Sequence, residues 1–337
     1  MAELNFSLLE HLPEGVVSIE ADRIAAINAR AKALLPGLEV GQYLPDTPIP
    51  AQCPSGAGTF YDREQGFRFT FSQEGEQRLI FFSPAPDVLP PRTEELLSYL
   101  RQCAAPIMSG LAAQEDPDRN AIRGLHGLVR TINNLELLSG SAPQSAPNAV
   151  EFVSLCRRLT MEAGGLLKEI RRTLRFECTL PVLFIKGDPA LLERLLLELI
   201  ANSIKVTPPG GEVLLELTHP GHHVLLTIRD GGSEADGRRL MAAMSGQSAD
   251  GLPLPGQGAA LGLDAAMRIT RLHRGSLMVV NGPEGHHTAL ILPLDTTQPS
   301  VSMRTPAFVQ SDGGLSPLLL GLCDLLPASL FQRETIL

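Results

Sequence analysis

Glu198, Asn202 and Lys205 follow one another at i, i+4 and i+7 within residues 188–211. A helix there puts a carboxylate, a carboxamide and an ammonium on one face. The Asn202 oxygen is a hard donor suited to Mg2+, and Lys205 is a point charge suited to phosphate. Leu192, Leu195, Leu196, Leu199 and Val206 form an apolar stripe at the same spacing. The spacing alone is equally that of an ordinary amphipathic helix with a solvated polar face. Asp188 followed by Pro starts the helix as an N-cap, and two prolines and two glycines at 208–211 stop it.

Two glycine segments lie downstream. Asp230, Gly231 and Gly232 follow an apolar alternating run directly. Gly256, Gly258 and Gly262 precede a run of helical periodicity, with Leu261 and Leu263 flanking the last glycine. Backbone N–H groups entering a helix N-terminus are unsatisfied donors at a positive dipole end, a setting that holds phosphate. Each glycine pattern alone is a weak signal.

The elements that must position these residues follow from periodicity. Residues 15–19 and 23–28 read as strands, 29–35 as a short helix, and 67–71 with 78–82 as a β-hairpin. A Pro-rich linker at 84–91 precedes two helices, 92–113 and 119–138, which form a hairpin. A Ser/Pro/Gly/Ala stretch at 139–147 marks a boundary. A helix at 150–162, strands at 175–180 and 182–186, and a hairpin of 212–218 with 223–229 surround the 188–206 helix. A helix at 264–272 and a strand at 285–294 close the segment. The apolar stretch 314–331 is broken by Pro317 and Pro327, and reads either as a partner-docking segment or as packing back on its own chain.

Composition bounds the partners. The net charge of −9, from 28 Lys+Arg against 37 Asp+Glu, argues against nucleic acid. Aromatics at 4% and the absence of Trp argue against base-stacking platforms. The five cysteines are scattered without a CxxC pair, so they read as reduced thiols of a cytoplasmic protein. No secretory leader and no apolar run of membrane-spanning length is visible, so no membrane span is expected.

Residues 188–211 resemble the Asn-containing box of the sensor histidine kinase ATP-binding domain, and the two glycine segments resemble its next two boxes in order. The resemblance is to the GHKL-type superfamily. It implies an α+β multidomain chain whose 148–295 segment is an α/β sandwich of Bergerat type that binds ATP with Mg2+. It implies that Asn202 holds Mg2+, that Lys205 meets phosphate, and that Asp230 accepts from the adenine amino group while Gly232 leaves room for the base. Gly258, Leu261, Gly262 and Leu263 would line the phosphates, with 234–257 as the ATP lid. The pattern departs at Glu234 and Ala260, where the family has Gly. Superfamily ATPases carry Glu at the position of Glu198, which leaves it as a general base or as an orienter of hydrated Mg2+.

Residues 1–88 loosely resemble a PAS sensor domain, and 92–140 the dimerisation and phosphotransfer hairpin, implying a homodimer. The remaining segment, 296–337, is a linker and apolar tail. In that family the first hairpin helix carries His-Glu-x-x-x-Pro-Leu. Anchored on Pro106, the acceptor position here is Arg101 and its neighbour is Gln102. Autophosphorylation needs a neutral imidazole nitrogen as nucleophile, and a guanidinium stays protonated with no free lone pair. His126 on the second helix is the nearest substitute. The expectation is a pseudokinase of two-component type, partnered by a response regulator or another kinase. The alternatives are an active kinase or ATPase acting through Glu198, and an interaction module that no longer holds nucleotide.

Overall fold

The structure, a computed structural model, describes residues 6, 9–10, 12–50, 56–62, 65–74, 77–84, 93–140, 148–232, 261–282, 285–294 and 315–335. The chain opens with β1 (Gly15–Glu20), β2 (Arg23–Ile27), α1 (Ala29–Leu34), β3 (Gly56–Asp62), β4 (Gln65–Glu74) and β5 (Gln77–Pro84). Next come α2 (Thr93–Ala112), α3 (Arg119–Ser139), β6 (Asn148–Glu151), α4 (Phe152–Leu167), β7 (Thr173–Cys178) and β8 (Phe184–Gly187). They are followed by α5 (Pro189–Val206), β9 (Glu212–Thr218), β10 (His223–Arg229), α6 (Leu261–Leu272), β11 (Ser276–Gly282), β12 (Gly285–Pro293) and α7 (Pro317–Leu322). Contacts divide the chain into two compact units: the described residues up to 84 with 232 and those within 270–291, and the remaining described residues.

In the first unit the strand order is β2-β1-β5-β4-β3-β11-β12, with antiparallel neighbours. Alternation in β4 sends Phe67, Phe69 and Phe71 to one face, and all three are buried. Phe60 stacks on Phe67 with ring centroids 5.2 Å apart, and Phe82 meets Phe60 edge-on at 5.6 Å. The β3–β11 pairing crosses the domain boundary expected at residue 88. It depends on Gly58, where a Cβ would lie 2.2 Å from the Leu277 carbonyl oxygen. The Gly-Ala-Gly start of β3 has low strand propensity, which is why periodicity did not register it.

Asn28 ties the start of this unit together. Its Oδ1 accepts from Val16 N at 2.9 Å and, as N-cap of α1, from Ala31 N at 2.8 Å. Its Nδ2 donates to the carbonyls of Leu9 and Glu14, each at 3.0 Å.

In the second unit β7 pairs parallel with β9, and β9 antiparallel with β10. Helices α4 and α5 pack on these strands through Leu155, Leu159, Leu195, Leu196 and Ile200, all buried. β6 and β8 make a separate antiparallel pair. α2 and α3 form the expected hairpin, with Leu97, Ala104 and Leu111 facing Ile122, Leu125, Val129 and Ile132 in its buried interior. The Asp188 side chain caps α5 from Ala190 N at 2.9 Å. α7 and the turns after it pack against α3 and α5, with Leu315, Leu322, Leu326 and Phe331 buried. Of the two readings of the apolar tail, packing back on its own chain is the one observed. Among the described residues no helix is long and apolar enough to cross a membrane.

Asn28→Ala removes a cap and strands four buried polar groups. It is expected to cost about 2–4 kcal/mol, read as a fall in the urea midpoint at unchanged m-value.

Candidate functional site

α5 brings Glu198, Asn202 and Lys205 to one side, with graded exposure. Glu198 is 1% exposed, Asn202 is half-buried and Lys205 is at the surface. Both glycine segments reach this helix. At the end of β10, a Cβ on Gly231 would stand 3.2 Å from Pro208 Cδ, so the loop carrying Asp230 abuts the turn that ends α5. At the start of α6, a Cβ on Gly262 would stand 2.3 Å from Glu198 Oε2. Only glycine lets the α6 N-terminus come this close to the carboxylate. Leu261 and Leu263 flank it, half-buried. Gly232 is described and half-buried, whereas Gly258, Ala260, Glu234 and the expected lid lie outside the described residues.

Glu198 is not open to water in this arrangement. Arg130 of α3 grips it at two points, Nε to Oε1 at 3.0 Å and Nη2 to Oε2 at 2.5 Å. Asn134 Nδ2 lies 3.5 Å from Oε1, and Arg194 of α5 donates to Asn134 in turn at 2.5 Å. Arg130 also donates from Nη1 to Asp324 Oδ2 at 2.8 Å, and Lys205 Nζ lies 3.6 Å from the same oxygen. Burial works against the charged guanidinium, but Glu198 outweighs it, so the Arg130 pKa is raised. Arg130 and Asp324 had no signal in the sequence, because they reach Glu198 and Lys205 from distant positions on α3 and beyond α7.

The position read from the sequence as the acceptor, Arg101, is a cation with partners. Arg101 forms a two-point ion pair with Glu136 of α3 and donates to Asn133 Oδ1 at 2.9 Å. His126 is wholly buried. Its Nδ1 lies 2.9 Å from the Ile122 carbonyl, its ring meets Phe331 edge-on at 5.0 Å, and Nε2 finds no partner among the described residues. Burial pushes its pKa below the usual value, against a smaller opposing effect of the Ile122 carbonyl.

Residues 187–298 match the family model described as "Histidine kinase-, DNA gyrase B-, and HSP90-like ATPase". That segment is thus similar to the ATPase domain shared by histidine kinases, DNA gyrase B and HSP90-like proteins. It is 24% identical over 291 residues to the adaptive-response sensory kinase SasA of Synechococcus elongatus, covering 83% of this chain and 73% of that one. It is 26% identical over 205 residues to the sensor protein kinase PmrB of Pseudomonas aeruginosa, covering 57% of this chain and 42% of that one. Among solved structures, full-length ShkA in complex with AMPPNP is similar at a TM-score of 0.49 and 18% identity, covering 61% of this chain and 47% of that one.

Two outcomes test this site. Glu198→Ala leaves the buried Nε and Nη2 of Arg130 without an acceptor, only Nη1 still reaching Asp324, and is expected to destabilise by about 3 kcal/mol in urea denaturation, with Glu198→Gln costing less because its amide oxygen still accepts. His126 has a depressed folded pKa, so the unfolded chain binds its proton first. Stability therefore falls as pH drops below about 6.5, by up to about 1.4 kcal/mol per pH unit, and His126→Leu should flatten that decline in denaturation curves at pH 7.5 and 5.5.

Proposed function

We propose that the chain is a cytoplasmic two-component-type signalling protein that binds Mg-ATP as a conformational ligand and lacks its own phosphoacceptor. The observation that carries this reading is the Arg101–Glu136 ion pair at the acceptor position. A guanidinium fixed to a carboxylate has no lone pair to offer a γ-phosphate. His126 does not replace it, because that ring is buried under Phe331.

The donor set around α5 fits a nucleotide. Lys205 and the N-terminus of α6 supply positive ends for phosphate, and the half-buried Asn202 carries the oxygen that would hold Mg2+. The close approach of Gly262 to Glu198 supports the same reading, since it brings the α6 N-terminus against the helix that bears Asn202. Asp230 would accept from adenine, with Gly232, Gly258, Leu261 and Leu263 around the ligand. Bound Mg-ATP would supply a strong anion whose differential affinity shifts the domain between two states. Glu198 then acts by positioning α3 through Arg130.

An exposed apolar stripe on α2 supports a homodimer through the hairpin. Leu96, Tyr99 and Ile107 are 55%, 63% and 48% exposed and share one helical face with Cys103, about a quarter-turn round the helix from Leu97, Ala104 and Leu111. A second hairpin of the same kind would cover that stripe. A response regulator or a second kinase is the proposed downstream partner.

The test is incubation with Mg-ATP labelled on the γ-phosphate, beside Asn202→Ala. The expected result is ATP bound by the wild type, weaker Mg2+-dependent binding by the variant, and no label on protein or as free phosphate. Stable label on the wild type alone overturns the reading.

A further inference from the structure

Asp324 follows α7, in a stretch whose neighbours are apolar and buried. Leu322, Cys323 and Leu326 are at most 2% exposed, whereas the Asp324 side chain retains 26% exposure. The helix before it is pressed hard on α5: a Cβ on Gly321 would lie 2.8 Å from Leu197 Cβ. Phe331, a few residues on, closes over His126 of α3. The apolar part of the tail is therefore an anchor, and the carboxylate is held at its rim.

One oxygen of that carboxylate serves two cations from two helices. Oδ2 accepts from Arg130 Nη1 at 2.8 Å and lies 3.6 Å from Lys205 Nζ. The remaining edge of Arg130 holds Glu198. Two positive and two negative charges thus cancel locally. A phosphate approaching Lys205 meets a cation whose field is already offset by Asp324. The Cys323 thiol, pushed up to about 11 by burial and then by Asp324, takes no part as a charged group at neutral pH.

We propose that Arg130 and Lys205 form a single anion site for the terminal phosphates of a nucleoside triphosphate, and that Asp324 is its built-in occupant. This rests on the nucleotide reading given above and deepens it: α3 contributes a phosphate ligand, and the tail competes with the nucleotide. ATP binding exchanges one carboxylate for phosphate oxygens at the same two cations. The apparent affinity of the intact chain is reduced by the fraction of molecules in which Asp324 is in place. Adenosine has no phosphate and is indifferent to that fraction. ATP binding also weakens the hold of the tail, because the same differential affinity acts in both directions.

The experiment compares the full chain with Asp324→Asn, a change of similar shape at a partly exposed position. Calorimetry measures Mg-ATP and adenosine affinities, and hydrogen exchange follows residues 315–335 with and without Mg-ATP. The expected result is ATP tightened about tenfold by Asp324→Asn, adenosine unchanged, and faster exchange of 315–335 in the wild type on adding ATP. Equal ATP affinity of the two proteins, or a gain shared by adenosine, overturns the proposal while leaving nucleotide binding intact. Unchanged exchange of 315–335 at saturating ATP also overturns it. Failure of both proteins to bind either ligand overturns the nucleotide reading itself, and this proposal with it.

Discussion

Arg130 and Glu198 meet with side chains 10% and 2% exposed. Removing two charges from water costs several kcal/mol each, and their attraction offsets that cost only when the geometry is good and the remaining polar atoms are satisfied. The surroundings of the pair follow from this demand. Asn134 reaches toward one carboxylate oxygen, and Asp324 takes the outer edge of the guanidinium. Position 262 admits no side chain. The docking of α3, α6 and the tail onto α5 thus converges on one charge pair. A defect there is felt by the hairpin, by α6 and by residues 315–335 together.

Much of the fold was legible because its elements repeat with a clear period. The α5 stripe, the β9–β10 hairpin and the β4–β5 hairpin announce themselves within windows of seven to a dozen residues. Asp188 is a cap in the structure for the reason it reads as one: a short oxygen-bearing side chain before Pro. What stayed hidden is non-local. The β3–β11 pairing joins segments far apart in sequence, and its decisive residue, Gly58, carries no side chain to form a pattern. β6 is too short for alternation to register. Glu198 was legible as a residue able to do chemistry. Its partner, Arg130, lies 68 positions away on a helix whose own spacing says nothing about α5.

The hairpin holds its one two-point ion pair between α2 and α3 among the described residues. Arg101 projects from α2 as a guanidinium, and α3 offers it Glu136 and Asn133. Exposed ion pairs contribute about 0–1 kcal/mol, so Arg101–Glu136 adds little to stability. On the reading proposed above its effect would be on reactivity, because the group at that position stays protonated.

Asp324 and Arg130 are separated by 194 residues, which gives the tail a place in time as well as in space. Translation delivers α3 and α5 well before residues 315–335, and domains fold as they emerge. The growing chain therefore passes through an interval in which Arg130 and Glu198 can pair while Leu197 and His126 still lack the cover of Gly321 and Phe331. In that interval the nascent protein presents an apolar seam along two helices, with Arg130 and Lys205 beside it not yet met by Asp324. Docking of residues 315–335 then closes that seam and brings Asp324 to both cations.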